Sequence, residues 1–344
     1  MPVTSGSLTP NATTSGVSLL ANTQPCNGYV EFCTRSYGNI TYVAAHNSPF
    51  VMQNNVAANQ NLEVAQQLDD GIRMLQGQIH ELNGILHYCH TSCDLLDSGP
   101  VEDYLGKVAD WLRKNPFEVI SIVIGNGDFI ELEKFIEPLQ NSGIADMAYI
   151  PSSNNTLQYN HWPTLGDLIL QGKRVIIYMD YKADETRVAY ILDEFTYMWE
   201  TPFSPTDANF PCTIDRPLGM TNDGGKLYMA NHNLNAELTV FGETILIPDK
   251  VNLNRSNAVS GYGSLGLAAE HCTALWCRPP TFLLVDFYDV GDGSVFEVAA
   301  KMNDVSYTST CCSKPSTSAG ASSVLRLRDL MVFLLVVIFL SELF

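Results

Sequence analysis

The sequence contains 344 residues, 46% of them hydrophobic and 16% charged, which is enough for one large globular domain or two small ones. The formal net charge of −18 excludes the basic footprint that nucleic-acid binding requires. Acidity of this kind favours solubility and does not specify a fold.

Residues 1–25 are rich in Ser, Thr, Asn and Gly and predict a disordered N-terminal segment. Apolar runs and helix-spaced segments then alternate along the chain. Strands are predicted at Ile40–Ala45, Ile72–Ile79, Ile85–Cys89, Val119–Ile124, Arg174–Met179, Lys226–Ala230 and Phe282–Val285. Helices are predicted at Leu62–Leu68, Pro100–Arg113, Ile130–Leu139, Leu165–Leu170, Ala183–Trp199 and Val295–Lys301. The stretches 200–225 and 233–280 are mostly predicted loop.

This alternation predicts a single α/β domain over residues 26–305, folded as a barrel with long loops at one mouth. A doubly wound open sheet is the alternative fold. The glycine-rich GxGxxG motif, with which such sheets bind their most common ligand, does not follow the first strand. In a barrel, residues that follow strands gather at one mouth, so they are the candidates for a site.

Polar residues follow several predicted strands. His46 and Asn47 follow the first, His90 follows the third, and Asp286 follows the last. Two imidazoles so placed can act as general base and general acid. In a closed barrel the last strand lies beside the first, so Asp286 can orient His46. Each residue also has a structural alternative: a hydrogen-bonded His46, a His90 packed on a disulfide, or an Asp286 that caps a loop.

Nine cysteines favour an oxidising compartment, because their spacing lacks the paired CxxC halves of a zinc site. We predict disulfides Cys26–Cys33 and Cys89–Cys93, with Cys212–Cys272 as a candidate long-range pair, although spacing alone does not determine connectivity. An odd number of cysteines leaves at least one thiol free. Glycosylation sequons also fit a secreted glycoprotein, and they begin at Asn11, Asn39, Asn154 and Asn254.

The C-terminus carries a targeting pattern. Small residues at Ser318–Ser323 precede a spacer and an apolar run that starts at Leu330. We predict a Ser-rich linker at 306–329 and a GPI-attachment signal at 330–344, with a single membrane helix as the alternative. Both predict an extracellular or cell-surface protein, yet no signal peptide is evident within residues 1–25.

Several segments carry a family resemblance: AAHNS at Ala44–Ser48, QLDDGIRML at Gln67–Leu75 and LHYCH at Leu86–His90. They resemble the X-domain core of phosphatidylinositol-specific phospholipase C, in the PLC-like phosphodiesterase superfamily. The segments YMANHN and RPPTFLLVDFY resemble in particular a secreted fungal-type branch. The similarity runs from about Cys26 to Val305 and rests on the order and spacing of these motifs. It implies an irregular TIM (β/α)8 barrel.

The resemblance implies cleavage of a phosphodiester whose leaving group is a lipid alcohol. In the family, one histidine takes the proton of the attacking inositol hydroxyl, and another protonates the leaving oxygen. His46 resembles the first of these and His90 the second. Asn47 stands where the eukaryotic branch also has Asn and the bacterial branch has Asp.

The sequence departs from the family at the cation site. Eukaryotic relatives hold calcium with acidic residues on the second strand, and bacterial relatives replace the metal with Arg. Gln76 and Gln78 stand at the corresponding positions here. Neutral amides are poor calcium ligands without carboxylate partners, so we expect no calcium and no other cofactor. Because losing such a charge typically costs ~10²–10³-fold in rate, weak or absent turnover is the alternative.

The alternation of side chains along the second strand limits which residues could supply the missing positive charge. Gln76, Gln78 and His80 share one face of the second strand, while Arg73 lies on the other face, where we expect it to pair with an acid. His80 is therefore the first candidate for a substitute positive charge. The further candidates are His232, Lys182 and Arg174.

Two hypotheses of different classes follow. The first is a metal-independent phosphoric diester hydrolase or lyase that acts on an inositol-containing phospholipid or glycophospholipid, with catalytic His46, His90 and Asp286. Its expected substrate contacts are Asn47, Gln76, Gln78, His80, Asp180, Tyr181 and His232. The second is a surface-anchored protein that binds a lipid head group or glycan without turnover. Both imply a membrane partner, reached through the C-terminal tail. The amides on the second strand argue against a third hypothesis, metal-dependent glycerophosphodiester hydrolysis.

Overall fold

Parallel strands dominate the structure, a computed structural model that describes residues 23–151, 157–240, 243–309 and 311–312. The strands are β1 (Tyr42–Ala45), β2 (Met74–Leu82), β3 (Ile85–Cys89), β4 (Asp97–Pro100), β5 (Ile120–Gly125), β6 (Val175–Met179), β7 (Ile191–Asp193), β8 (Met198–Glu200), β9 (Leu227–Asn231), β10 (Asn235–Val240), β11 (Glu243–Pro248) and β12 (Phe282–Val285). The α-helices are α1 (Val64–Asp70), α2 (Val101–Lys114), α3 (Ile136–Asn141), α4 (Leu165–Leu170), α5 (Glu194–Tyr197), α6 (Leu253–Ser256), α7 (Leu265–Trp276) and α8 (Ser294–Met302).

Eight of the described strands form a curled parallel sheet in the order β7-β6-β5-β2-β1-β12-β9-β8. The last strand pairs with the first, as a barrel requires. No ladder joins β7 to β8 within the described residues, so the barrel is open there. The antiparallel strands β3 and β4 extend β2 beyond the sheet. The predicted irregular TIM barrel is confirmed.

Aromatic side chains fill the amino-terminal end of the barrel. Tyr37, on a 3-10 turn before β1, is buried there, with its hydroxyl 2.6 Å from Ser121 Oγ and 3.3 Å from the Tyr178 hydroxyl. Tyr42 stacks on Phe282 with ring centroids 5.6 Å apart. This end of the barrel is therefore packed with aromatic side chains.

The predicted helix Ala183–Trp199 is wrong. This segment instead contains a loop, the strands β7 and β8, and the one-turn helix α5 between them. Short apolar runs fit a buried strand as well as a helix, and pairing decides here: Ile191 lies opposite Ile177 in the ladder with β6. The same segment therefore supplies two barrel strands and the turn that joins them.

The region 233–280 contains more regular structure than predicted, namely the β10–β11 hairpin and the helices α6 and α7. Ser264 caps α7 by accepting a hydrogen bond from the Leu267 amide. The predicted disulfides Cys26–Cys33, Cys89–Cys93 and Cys212–Cys272 are all present. Cys277 is free and exposed.

The predicted tail 330–344 lies outside the described residues, as do most of the N-terminal segment 1–25 and most of the linker 306–329. The sequons at Asn11 and Asn154 also lie outside them, whereas Asn39 and Asn254 are exposed. Within the described part of the chain, no helix is long and apolar enough to cross a membrane.

Candidate active site

A cavity of about 440 Å³ opens at the carboxyl ends of the barrel strands. Its floor is apolar and includes Val123, Met229 and Leu284. Its walls are polar, because they are formed by residues at or just beyond the ends of strands. These residues include His46 after β1, Gln76 and Gln78 on β2, Asp180 after β6, Glu200 on β8 and Asn231 on β9.

His46 is oriented by a buried carboxylate. β1 and β12 run in register, with Ala45 opposite Val285, so that His46 and Asp286 leave the sheet side by side. His46 Nδ1 lies 2.8 Å from Asp286 Oδ1, and Asp286 is 2% exposed. Since a carboxylate accepts, Nδ1 carries the proton and Nε2 remains able to accept one.

Two amides that the sequence did not single out complete this arrangement. Asn59 Nδ2 donates to Asp286 Oδ1 over 2.8 Å, and Gln60 Nε2 donates to the backbone oxygen of His46 over 2.8 Å. Both amides lie in the loop after β1 and are buried. Their order in the sequence carries no signal for these contacts, because only the folded loop brings them to the end of β12.

Asn47 supports the site from behind and does not line the cavity. It is buried, and its Nδ2 donates to Asn59 Oδ1 over 3.2 Å. Its φ of 48° places it in the left-handed region, which Asn tolerates better than most residues. The structure therefore does not support the predicted contact of Asn47 with substrate, because its side chain bonds to Asn59 and does not line the cavity.

His90 lies in the loop closed by the Cys89–Cys93 disulfide. Its ring packs edge-on against Phe50, with centroids 5.1 Å apart, and its Nδ1 is 3.2 Å from Thr91 Oγ1. Thr91 lines the cavity, and His90 sits just behind it with 9% of its surface exposed. Burial is the main cause that lowers the pKa of His90 to about 4, followed by the nearby His46. His90 is thus a neutral neighbour of His46 at neutral pH.

Gln76, Gln78 and His80 all face the cavity, as strand alternation predicts. Gln76 Oε1 accepts a hydrogen bond from the backbone N–H of Asn47 over 2.9 Å, and Gln78 Oε1 accepts one from the backbone N–H of Thr91 over 3.0 Å. Because both oxygens are used, the amide Nε2 groups are the ends left for a ligand. His80 Nδ1 lies 2.7 Å from Asp128 Oδ2, so a positive charge on His80 would be paired with the Asp128 carboxylate.

Arg73 points away from the cavity, as strand alternation predicts, and pairs with Glu118 through Nη2 and Oε2, 2.7 Å apart. Two of the other candidates for the positive charge lie outside the cavity. Arg174 Nη2 donates to the backbone oxygen of Leu112, below the start of β6. Lys182 pairs with Glu131 on the exposed surface and does not line the cavity.

His232 does not line the cavity, so the structure does not support its predicted contact with substrate. Its side chain is buried, stacks on Phe210 with centroids 3.6 Å apart, and donates from Nε2 to the backbone oxygen of Ser256 over 2.9 Å. Burial lowers its pKa to about 3, so it is neutral at physiological pH. His232 thus joins the loop after β9 to α6 and does not line the cavity.

The guanidinium that the sequence analysis missed is Arg216. Its Nη2 lies 3.5 Å from Asp180 Oδ2, and its Nη1 lies 3.5 Å from Glu200 Oε2. Its Cζ lies 4.9 Å from the ring centroid of Phe195 and 4.6 Å from that of Phe203. All of these residues except Phe195 line the cavity. Arg216 lies in a stretch predicted only as loop, so no strand pattern pointed to it.

The residues present do not fit a calcium ion. Hard cations need several free carboxylate or carbonyl oxygens, but Asp180 and Glu200 face Arg216, and the oxygens of Gln76 and Gln78 accept backbone hydrogen bonds. Among the described residues that line the cavity, no three His, Cys, Asp or Glu side chains come close enough to share an ion. Metal independence itself remains a prediction.

Comparison with known proteins identifies the family. The family model described as PI-PLC X 1 matches residues 32–303. The chain belongs to the PI-PLC X domain family. This assignment agrees with the resemblance seen in the strand-end motifs.

Two proteins of Arthroderma benhamiae are similar to this PI-PLC X domain chain. An uncharacterized secreted protein is 58% identical over 308 residues, covering 88% of this chain and 69% of that protein. A PI-PLC X domain-containing protein 1 is 44% identical over 284 residues, covering 81% and 89%. Among solved structures, the F249X mutant of phosphatidylinositol-specific phospholipase C from Staphylococcus aureus has a TM-score of 0.52 at 11% identity, covering 78% of this chain and 94% of that one. This last likeness shows the fold alone.

Proposed function

We propose that this PI-PLC X domain cleaves a phosphodiester in an inositol-containing phospholipid or glycophospholipid by general acid–base catalysis without a metal ion. The observation that carries the proposal is the hydrogen bond from His46 Nδ1 to the buried Asp286, at the wall of a cavity large enough for a head group. It fixes the tautomer that a general base needs. Family membership supplies the reaction class.

In the proposed reaction, His46 Nε2 takes the proton of a ring hydroxyl that neighbours the phosphate. The hydroxyl oxygen forms a bond to phosphorus, and the bond from phosphorus to the lipid oxygen breaks. His90 gives its proton to that leaving oxygen. The products are a cyclic inositol phosphate and a lipid alcohol, and water can open the cyclic ester with the two histidines exchanging roles.

Two features favour the proposed chemistry at the phosphate. They are the negative charge of the bound ligand and the dipoles of the side-chain amides. His90 has a pKa of about 4 in the free protein, and a bound diester adds a negative charge that raises this pKa and favours the protonated acid. The Nε2 groups of Gln76 and Gln78 can donate to phosphate oxygens. Neutral donors stabilise developing charge less than Arg or calcium does, so we expect slow turnover.

The test is release of water-soluble inositol phosphate from inositol-labelled phosphatidylinositol in mixed micelles. His46→Ala and His90→Ala should each lower the rate by at least ~10²-fold, and EDTA should leave it unchanged. His87→Ala is the matched control, because the His87 ring bonds to Asp97, whereas the His90 ring bonds to Thr91, which lines the cavity. A wild-type rate no higher than that of the His46→Ala/His90→Ala double variant would refute the proposal.

A binding protein without turnover is the second candidate, favoured by one observation. Among the described residues on β2 that face the cavity, Gln76 and Gln78 supply no charge and His80 is paired with Asp128. Titration with phosphatidylinositol micelles that survives His46→Ala, without product formation in the wild type, would select this candidate.

We further propose that the protein acts outside the cell, held at the surface by a GPI anchor. Similarity to a secreted protein supports the compartment, and the tail pattern of small residues, spacer and apolar run supports the anchor. The full chain expressed in a secretory host should be shed from the cell surface by a bacterial phosphatidylinositol-specific phospholipase C. Retention after that treatment would favour a membrane helix.

A further inference from the structure

A second cavity, of about 250 Å³, lies at the end of β1 opposite to His46. It is formed by the 3-10 turn Tyr37–Asn39 that leads into β1, the residues after α7 that lead into β12, and the chain that follows α8. At ~30 Å³ per water molecule, it has the volume of about eight waters, which is close to that of one sugar ring with its substituents. The charged, amide and aromatic side chains on its wall include Arg35, Asn39, Tyr159, Arg278 and Asp304.

Asn39 is an acceptor site for N-linked glycosylation on the wall of this cavity. Thr41 completes its sequon. The Asn39 side chain is exposed and forms no hydrogen bond within the described part of the chain, so its Nδ2 is accessible. The turn that carries it is held closely against the neighbouring loop, because a Cβ on Gly38 would lie 2.0 Å from the backbone oxygen of Tyr159. A sugar attached to Asn39 therefore begins beside the cavity and not in open solvent.

Arg278 presents a buried donor that lacks an acceptor. The residue is 9% exposed, and its Cζ lies 4.7 Å from the ring centroid of Tyr159 and 4.6 Å from that of Tyr228. Its Nη2 lies 3.4 Å from Asp223 Oδ2, but its Nε has no hydrogen-bond partner among the described residues. The large majority of buried donors in folded proteins are paired. Since Arg278 also lines the cavity, an occupant with an acceptor oxygen would satisfy it.

The charges around the cavity favour a neutral occupant. Arg35 and Arg278 supply two positive charges, and Asp304 on the wall and Asp223 beside Arg278 supply two negative charges. Arg35 Nη1 donates to the backbone oxygen of Asn303 over 2.6 Å, and the guanidinium forms no ion pair within the described ranges. The cavity thus offers both donors and acceptors without net charge. Sugar hydroxyls and an acetamido group donate and accept, so they match this wall better than a phosphate does.

We propose that Asn39 carries an N-linked glycan whose first sugar, an N-acetylglucosamine, occupies this cavity and accepts a hydrogen bond from Arg278. The sugar then joins the approach to β1, at Asn39, to the approach to β12, at Arg278. These are the two strands whose far ends lead to His46 and Asp286. The glycan therefore stabilises the strand pairing on which the candidate active site depends.

The modification needs the secretory pathway, so this inference rests on the proposed export and not on the proposed chemistry. Asn39 Nδ2 loses a proton and forms a bond to C1 of the sugar, while the bond from C1 to the diphosphate of a lipid-linked oligosaccharide breaks. The secretory host supplies this donor and the transferase. Transfer takes place on the unfolded chain, because Thr41 is buried after folding and its Oγ1 donates to the backbone oxygen of Pro280 over 2.7 Å.

The test compares two sequons in the full chain expressed in a secretory yeast host. Asn254, on α6, is the matched control, because it is exposed, begins a sequon and lines neither cavity. Peptide mass spectrometry should find Asn39 occupied. Asn39→Gln should lower the melting temperature by at least ~3 °C, whereas Asn254→Gln should leave it within about 1 °C of the wild type.

Enzymatic trimming isolates the first sugar. Endoglycosidase H leaves one N-acetylglucosamine on each asparagine, so it should not lower the melting temperature of the wild type. Peptide N-glycosidase F removes the whole glycan. On the folded wild type it should release the Asn39 glycan at least ~tenfold more slowly than the Asn254 glycan, because the bond that it cleaves is covered. These two measurements need no variant, so they stand even if Asn39→Gln fails to fold.

The contact with Arg278 has its own test. Arg278→Lys keeps the charge and removes Nε, so its loss of melting temperature should be smaller when Asn39→Gln is also present. Additive losses would show that the sugar does not bind Arg278.

Three outcomes overturn the inference: an unmodified Asn39 beside an occupied Asn254, equal melting temperatures for the two single variants, and a loss of stability after endoglycosidase H. If neither sequon is occupied, the proposed export fails together with the inference. The rate of phosphatidylinositol cleavage tests the proposed chemistry separately.

Discussion

His46 and Asp286 stand side by side because β1 and β12 are hydrogen-bonded in register, and their side chains meet at 2.8 Å just beyond the paired residues Ala45 and Val285. The contact therefore depends on the pairing of the first strand of the chain with the last, and no local sequence feature produces it. Parallel barrels gather their functional groups in this way, from distant segments at one mouth.

Asp286→Asn should lower turnover by roughly 10²–10⁴-fold with little loss of folding, because an amide fits the site but no longer enforces the Nδ1–H tautomer of His46. Cleavage of phosphatidylinositol and thermal unfolding measure the two effects. Asp289→Asn, three residues later, is the control, since Asp289 bonds to Asn61 away from the cavity. A loss of less than threefold in Asp286→Asn would show that His46 needs no orienting carboxylate.

Gln78→Arg should increase turnover. The side chain faces the cavity from β2, where the family resemblance indicates that bacterial relatives carry an Arg, and a charged donor typically contributes about 10²-fold or more. The variant loses the hydrogen bond from the Thr91 amide, which reduces the gain. We expect at least a severalfold higher rate of phosphatidylinositol cleavage.

Gln171→Arg is the control for this experiment, because it adds the same charge on the exposed end of α4, at the amino-terminal side of the barrel. An unchanged or lower rate in Gln78→Arg, with native stability, would mean that the phosphate does not bind beside β2.

Strand patterns predicted much of the site. Alternation along β2 placed Gln76, Gln78 and His80 on the cavity face and Arg73 on the outer face, where it pairs with Glu118. Such predictions succeed because the side-chain direction of a strand residue follows from its position alone. The barrel followed from the same local signals.

Arg216, Glu194 and Glu200 could not be found in this way. Glu194 lies within the segment predicted as a helix, Ala183–Trp199. Glu200 and Arg216 lie in the stretch 200–225, which was predicted only as loop and whose course depends on a bridge between these two residues. The prediction for His232 relied on its position after a strand, but the side chain turns toward Phe210. Residues on loops reach their positions through tertiary contacts that one sequence does not encode locally.

Acid should destabilise the protein through its buried histidines. His232 and His90 have pKa values of about 3 and about 4 in the folded state, below the ordinary value of 6.5. Between about pH 6.5 and pH 4 the unfolded chain therefore binds more protons. Stability is complete above this window and falls as the pH is lowered, by about 1.4 kcal/mol per pH unit for each histidine.

His232→Gln retains a hydrogen-bond donor but does not titrate, so its unfolding free energy should fall less than that of the wild type between pH 7 and pH 4.5. Urea unfolding at the two pH values measures the difference. His161→Gln, at an exposed position, should behave like the wild type. Equal acid sensitivity in wild type and His232→Gln would show that His232 does not contribute.

The disulfide Cys89–Cys93 should matter more for activity than for stability. It closes a loop of sequence separation 4 around His90 and Thr91, and loop entropy alone predicts a stabilisation of about 2 kcal/mol. The Cys89→Ser/Cys93→Ser double variant should lose that stability and also lower turnover, because His90 is no longer held against Phe50.

The Cys26–Cys33 disulfide provides a matched comparison. Its sequence separation is 7, so its predicted contribution is also about 2 kcal/mol. It lies at the other end of the barrel, where Asn27 Nδ2 donates to the backbone oxygen of Val119 just before β5. Cys26→Ser/Cys33→Ser should therefore lose similar stability in urea while its rate of phosphatidylinositol cleavage, measured well below the unfolding transition, stays near that of the wild type. Equal losses of rate in the two double variants would mean that the loop around His90 has no special part in the chemistry.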